Sequence, residues 1–553
     1  MNELNGRSLG INEIKMATLL PSEDQVLLAL LNVRKPLRLY RNSAGGDVIC
    51  LCECETDGDI LGPPAFTEIG LLPPLHPQQL GDADFLAQHR IKYPYIAGEM
   101  ANGISTVKMV VEMGRAGMLG FFGSAGLPFN EVDTAIIQIG QALGSLGNAG
   151  CGASWGINLI HSPKDSALED RIVDLFLQRK VRRVCASAFM AVSPAIVQYA
   201  CSGLELRDGA IGRSNHLFAK ISRPEVATQF MSPAPASMVQ QLVGEGKLTR
   251  VEGELAMHVP LAEDVTAEAD SGGHTDNRPL CALLPVILDL RDALCSQYGY
   301  ERPVRVGAAG GLGSPSSVAA AFTLGAAYVV TGSVNQSAIE SGTSDDVRAM
   351  LARCGIADCV MAPAPDMFEQ GMKVQVLKRG TLFAARATVL YQLYVSHDSL
   401  DSIPVSVQRK VEQDIFRTSF DDVWDRTREY WVSRDPREID RAAADPRHRM
   451  ALMFRWYLGS ASRWAQAAES DRAVDYQVWC GPAMGAFNRW VKGSFLEDPQ
   501  QRAVVQIALN LLEGAAVVTR AQQLRASGVR VPDAAFNFQP RQFHHTDLYG
   551  SAS

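Results

Sequence analysis

The strongest pattern along this chain is an alternation of short β-rich apolar runs with longer amphipathic ones, between about residue 91 and residue 340. Eight segments read as strands: Tyr93–Ala97, Met118–Phe122, Ala153–Leu159, Arg183–Ala186, His216–Ile221, Asp264–Ala269, Val304–Ala308 and Tyr328–Thr331. Helical runs lie between most of them, among them Ser105–Ala116, Ser166–Gln178 and Ser316–Gly325. The last begins on a serine suited to an N-cap and stops at a glycine. Eight β/α units over ~250 residues predict a TIM (β/α)8 barrel. A doubly wound sheet is the alternative, but it usually has fewer strands and one main glycine fingerprint.

The flanks read differently. Residues 1–90 predict a small β-containing module, with strands at Pro36–Tyr40 and Val48–Cys52 around an Asn42–Gly46 turn. The Pro-rich stretch from Gly62 to Pro77 marks its boundary. Residues 341–530 predict a mostly helical extension, clearest at Met450–Trp464 and Arg502–Ser527, that serves as substrate lid and interaction surface. Its tryptophans and arginines (Trp456, Trp464, Trp479, Trp490, Arg455, Arg463) suit interface anchors or a buried aromatic core equally well. Residues 531–553 read as a tail, loose or packed as an extended strap.

Composition narrows the function classes. At 553 residues the chain is too long for one ordinary core. With 47% apolar and 20% charged residues it is an ordinary globular protein. A net charge of −8 argues against nucleic acid as a partner. No uninterrupted apolar run reaches the ~18 residues of a membrane span, and Met1–Thr18 lacks an apolar signal core, so a cytoplasmic protein is expected. The eleven cysteines are mostly scattered. Cys50, Cys52 and Cys54 share one face of a strand by alternation. No spacing suggests zinc, and no bound metal is expected.

The chemistry concentrates in glycine-rich turns at predicted strand ends, where barrel enzymes keep their active sites. Ala269-Asp270-Ser271-Gly272-Gly273-His274 follows the sixth strand, Ala309-Gly310-Gly311 the seventh, and Gly332-Ser333 the eighth. The last two match the phosphate site of this fold, built from backbone N–H groups. Gly98-Glu99-Met100-Ala101 follows the first strand, where small residues let a flat ring lie against backbone. Asn158, near the end of the third strand, offers an amide to a ring edge or to a local cap. Lys220, in the apolar fifth strand, needs a carboxylate, an anionic ring or a phosphate as partner. His274 is the candidate acid/base group, since imidazole moves protons near neutral pH. No His-Glu-x-x-His, Gly-x-Ser-x-Gly or reactive thiol signature offers other chemistry.

Together these turns resemble the flavin-dependent family that contains nitronate monooxygenases and the FMN-type bacterial enoyl-acyl-carrier-protein reductase. The stretch Tyr95–Ile104, the run Lys373–Phe383, Phe454–Gly459 and above all Asp475–Asn488 resemble its PfaD-type subfamily. Those are stand-alone, trans-acting enoyl reductases of polyunsaturated-fatty-acid and polyketide synthases. Glu99 departs from the small residue expected there. The resemblance implies FMN, with its phosphate on Gly310, Gly311, Gly332 and Ser333, and its ring on Gly98, Met100, Ala101, Asn158 and Lys220. Asp270, Gly272, Gly273 and Ala309 would complete the pocket, with Asp270 shaping the turn. It further implies NADPH as hydride source, and an acyl carrier protein bearing a phosphopantetheine-linked enoyl substrate as partner. His274 would give a proton to the α-carbon or a hydrogen bond to the thioester oxygen. Synthase modules and a second copy of the chain are the other expected partners. Lys373, Lys378, Arg379 and the run Lys180–Arg183 are the candidate docking patch for an acidic carrier protein. A nitronate-type monooxygenase and a non-catalytic docking scaffold are the alternative readings.

Overall fold

A computed structural model describes residues 23–42, 48–52, 66–144, 153–162 and 166–544. Cys54, residues 43–46 of the expected turn, Pro63, Pro64 and the last residues of the tail lie outside them. The eight expected segments form eight parallel strands: Tyr95–Ala97, Leu119–Phe122, Gly156–Ile160, Arg183–Ser187, His216–Ile221, Asp264–Glu268, Arg305–Ala309 and Val329–Thr331. They hydrogen-bond in chain order and the eighth pairs with the first, closing the barrel. The boundaries differ slightly; the third strand starts at Gly156 rather than Ala153.

Packing inside the barrel explains the closure. Phe121, Phe218 and Tyr328 fill one region of the interior with Phe85, from the helix Ala83–His89. Phe85 stacks on Tyr328 at 4.3 Å between ring centroids. Gly156 and Gly307 leave room for these rings: a Cβ at either would lie 2.3 Å from Phe121 or 2.2 Å from Tyr328. That helix also closes the end of the barrel where the strands begin. There Arg305 binds the buried Asp264 carboxylate through two bonds of 2.7 and 2.8 Å, and His89 Nε2 lies 2.9 Å from it. Arg183 Nε donates to His89 Nδ1 at 3.1 Å. Arg183 is thus turned inward and is lost to the candidate docking patch.

The ends of the described chain meet. Strands Val48–Cys52, Leu37–Asn42 and Phe66–Leu72 form an antiparallel sheet in that order. The third went unseen in the sequence because prolines flank it. Val26, Leu30, Leu37 and Leu39 pack with Ala521 and Leu524 of the helix Val504–Ala526. Arg34 pairs with Glu513, and Arg520 donates to the carbonyls of Asn32 and Lys35. Val504–Ala526 is long and apolar enough to cross a membrane, but 83% of its most apolar window is buried inside the protein, as in a core helix. Described residues of the tail pack as a strap: Trp490 Nε1 donates to the Phe538 carbonyl at 2.7 Å, and Asn510 and Gln506 bind Arg541 and Phe543.

The helical extension is not wholly helical. Cys359–Pro363 and Lys373–Leu377 are antiparallel strands, and the short strand Gly273–His274 joins them. Trp464 and Trp490 are buried, and Arg472 sits 4.4 Å over the Trp464 ring.

Candidate active site

A cavity of ≈ 90 Å³, open to solvent, lies at the C-terminal ends of the first, fifth, sixth, seventh and eighth strands. Glycine supplies much of its wall. Gly310 has φ +88°, and a Cβ there would stand 2.6 Å from the Ala269 carbonyl carbon. At Gly311 and Gly332 the opposite holds: a Cβ would meet nothing within 4 Å. These two positions border open space, as a cradle for a ligand requires. Ser333 opens the short helix Ser333–Gln336, whose first N–H groups have no partner within the helix.

On the barrel side, three charged groups share the cavity wall. Lys220 Nζ lies 2.9 Å from Glu99 and 3.5 Å from Glu268. Ser187 Oγ–H also donates to Glu99 at 2.7 Å, and Ser271 Oγ–H to Glu268 at 3.1 Å. Burial disfavours the Lys220 ammonium, but the Glu268 and Glu99 carboxylates outweigh it and hold its pKa above the ordinary value. Burial likewise opposes the Glu99 anion, yet Lys220 and Ser187 keep its pKa below the usual range. Glu268 goes the other way: burial, helped by the Glu99 charge, raises it despite Lys220. Glu99 is therefore the anion of the trio and Glu268 its proton-prone member.

The turn after the sixth strand is held by polar side chains. Asp270 Oδ1 accepts from Asn277 Nδ2 and Gln375 Nε2, each at 2.8 Å. Gln375 Nε2 also donates to the Ser271 carbonyl at 2.9 Å. This fixes the strand Gly273–His274 against Lys373–Leu377, with His274 opposite Val374. His274 Nε2 lies 3.2 Å from Asp366 Oδ2. Burial lowers the imidazole pKa, but the Asp366 carboxylate outweighs it, and His274 sits above its ordinary value. An imidazole held by a carboxylate on one nitrogen keeps the other for a ligand.

The far wall comes from the extension. Leu377 N–H donates to the Val478 carbonyl at 2.8 Å, and Gly481 N–H to Ser333 Oγ at 3.0 Å. Gly272 and Gly481 meet backbone to backbone: a Cβ on Gly272 would be 2.9 Å from Cys480 N, and one on Gly481 2.8 Å from Gly272 N. This places Trp479 and Ala483 in the cavity wall.

Of the residues singled out from the sequence, Gly98, Met100, Lys220, Gly272, Ala309, Gly310, Gly311, Gly332 and Ser333 line the cavity. Ala101, Asn158, Asp270, Gly273 and His274 stand outside that lining. Ala101 lies in the turn closed by Ile104 N–H on its carbonyl. Asn158 Oδ1 accepts from the Ser124 and Ala125 N–H groups at 2.8 and 3.3 Å, a loop-holding role. His274 stands on the neighbouring strand with Asp366. Glu268, Ser271, Gln336 and Trp479 line the cavity without having been singled out for it. Asp366 could be found only through the fold, since 92 residues separate it from His274.

The eight-stranded barrel with a glycine-lined cavity at its C-terminal strand ends defines a TIM-barrel protein with a ligand site in the usual place for that fold. The enoyl reductase domain of MlnA, from the macrolactin biosynthesis cluster of Bacillus amyloliquefaciens, superposes with a TM-score of 0.77 at 38% identity, covering 81% of this chain and 99% of that domain. The chain belongs to the PfaD-type enoyl reductase family. Polyketide biosynthesis protein PksE of Bacillus subtilis is 44% identical over 442 residues, 80% of this chain and 56% of that protein. A polyunsaturated fatty acid synthase polypeptide of Thraustochytrium sp. is 44% identical over 473 residues, 83% of this chain. The chain spans only 31% of that polypeptide's length. Residues 397–476 also match the inserted helical domain of [acyl-carrier-protein] S-malonyltransferase.

Proposed function

We propose that this protein is an FMN-dependent, NADPH-using enoyl reductase. It acts in trans, in the cytoplasm, on α,β-unsaturated thioesters borne by an acyl carrier protein of a polyketide or polyunsaturated-fatty-acid synthase, and works as a homodimer. The observation that carries this reading is the match along 99% of the MlnA enoyl reductase domain. Two features of the cavity support this cofactor. Its open cradle at Gly311 and Gly332 suits a phosphate, and the glycine-edged wall from Gly98 suits a flat ring.

When bound, FMN would supply a two-electron carrier able to take hydride from a nicotinamide and give it to an enoyl β-carbon. The chain's own residues do the rest. Gly310, Gly311, Gly332 and Ser333 would hold the phosphate through backbone N–H groups. Glu99 keeps Lys220 charged at the ring end of the cavity, so that the ammonium can face anionic character there. Trp479 and Ala483 restrict water on the opposite side. As hydride reaches the β-carbon, negative charge develops on the thioester oxygen and needs a donor. Asp366 orients His274 and favours its protonated form. His274 can then hold a proton against that oxygen or pass it to the α-carbon.

The test is optical. Purified protein should be yellow, lose flavin absorbance with NADPH under anaerobic conditions, and regain it when an enoyl thioester is added. Failure to retain flavin would remove the reading. Turnover of nitronates with oxygen, without NADPH, would replace it with the monooxygenase alternative.

A further inference from the structure

Three thiols lie together behind the cavity's far wall. Cys354 follows the helix Asp345–Ala352, Cys359 opens the strand Cys359–Pro363, and Cys480 sits in the wall between Trp479 and Gly481. Cys480 Sγ is 3.9 Å from Cys354 Sγ and 3.8 Å from Cys359 Sγ. All three sulfurs fall within 4.8 Å of one another. Cys354 and Cys480 are buried, and Cys359 is half-buried. We propose that Cys354, Cys359 and Cys480 bind a zinc ion, which ties the cavity wall to the loop between helix and strand.

The geometry suits that ion. A tetrahedral centre with Zn–S bonds of ~2.3 Å spaces its sulfurs ~3.8 Å apart. Both measured separations to Cys480 lie at that value. The loop that carries the other two is bent to present them together: Gly355 N–H donates to Asp358 Oδ2 at 2.7 Å, and Asp358 N–H to the Gly355 carbonyl at 3.1 Å. Helix Ala483–Val491 presses on this loop so closely that a Cβ on Gly485 would be 2.2 Å from Gly355 backbone. The sulfurs therefore cannot drift apart without moving that helix.

The ligand set points to a soft or borderline metal rather than magnesium or calcium, which take oxygen. An iron–sulfur cluster would ask for four cysteines. Among the described residues no fourth His, Cys, Asp or Glu joins the group. The remaining position therefore belongs to water or to a backbone carbonyl. Three thiolates around Zn²⁺ leave one net negative charge. A disulfide would use two of the three sulfurs and leave one over, whereas a metal uses them all.

The experiment measures metal in the full chain. Protein expressed with zinc, purified under reductant without chelator and dialysed, is assayed by inductively coupled plasma mass spectrometry. About one zinc per chain is expected, falling to background in Cys480→Ser and Cys359→Ser. Cys281→Ser, which changes an exposed thiol elsewhere, should keep its zinc. Cobalt exchanged into the site should show a thiolate-to-metal charge-transfer band. A strong chelator should lower the Tm of the wild type but not of Cys359→Ser. If Cys480→Ser does not fold, the half-buried Cys359 decides the matter. Three outcomes would each overturn the proposal: wild type that takes up no zinc even when reconstituted, zinc retained in both variants, or a peptide map under non-reducing conditions that links two of the three cysteines.

Discussion

Acidification should weaken the closed end of the barrel through His89, and the structure sets the size of the effect. The ring is fully buried between helix Ala83–His89 and the strand starts. Its Nδ1 accepts from Arg183, so Nε2–H is left to donate to Asp264. A second ring proton would have to break the Arg183 bond and set a cation beside the guanidinium, away from water. Burial first, then Arg183 and His216, outweigh the pull of Asp264 and lower the pKa from 6.5 to about 4. Below the ordinary value the unfolded chain binds a proton that the folded chain refuses. Stability is therefore complete above pH 6.5 and drains away as pH falls towards the folded pKa. At about 1.4 kcal/mol per unit, the loss is about 2 kcal/mol by about pH 5 and about 3 kcal/mol by about pH 4. His89→Gln removes this proton. Urea unfolding of both proteins, from about pH 7.5 to about pH 5, should show the wild-type advantage narrowing by about 2 kcal/mol. A difference that stays constant within about 0.5 kcal/mol over that range would show that His89 carries no such linkage.

Other outcomes follow from the cavity. Gly332→Val should leave Tm almost unchanged, because its side chain enters open space, yet cut flavin retention at least about tenfold by filling a pocket meant for ligand; retained flavin would place the phosphate elsewhere. Asp366→Asn should shift the alkaline fall in thioester reduction to lower pH, since Asp366 raises the His274 pKa and the charged ring is lost as pH rises past it; an unmoved profile would part the two residues. Lys220→Met leaves Glu99 and Glu268 without their shared cation and should destabilise the fold by roughly 3 kcal/mol, with part of the loss in Tm recovered by adding Glu99→Gln. No recovery in the double variant would mean that the carboxylates are not the source of the cost.

Much of the barrel could be read from the chain because each strand is a short apolar run bounded by a turn. The local period therefore survives without tertiary information. The same is true of the glycines at 310, 311 and 332, whose spacing from strand ends places them on the cavity. The partner of Lys220 was open in the sequence: a lysine in an apolar strand demands a counter-charge, but only the barrel brings Glu268 across from the next strand. Asp366, Trp479 and the cysteine trio were not legible. Their partners lie 92 residues away for His274–Asp366 and 121 for Cys359–Cys480. No local pattern encodes such distances. Phe66–Leu72 was missed for the opposite reason, since prolines beside a strand look the same as prolines in a linker.

The packing of Leu37 and Leu39 on Ala521 and Leu524 also fixes an order of events during synthesis. The early β-strand cannot reach its permanent neighbour until roughly 480 more residues have been made, a wait of about half a minute to a minute and a half at ~5–20 residues per second. Meanwhile its leucines are open to other chains. Growth temperature and chaperone supply should govern the soluble yield of this protein more than its final stability does.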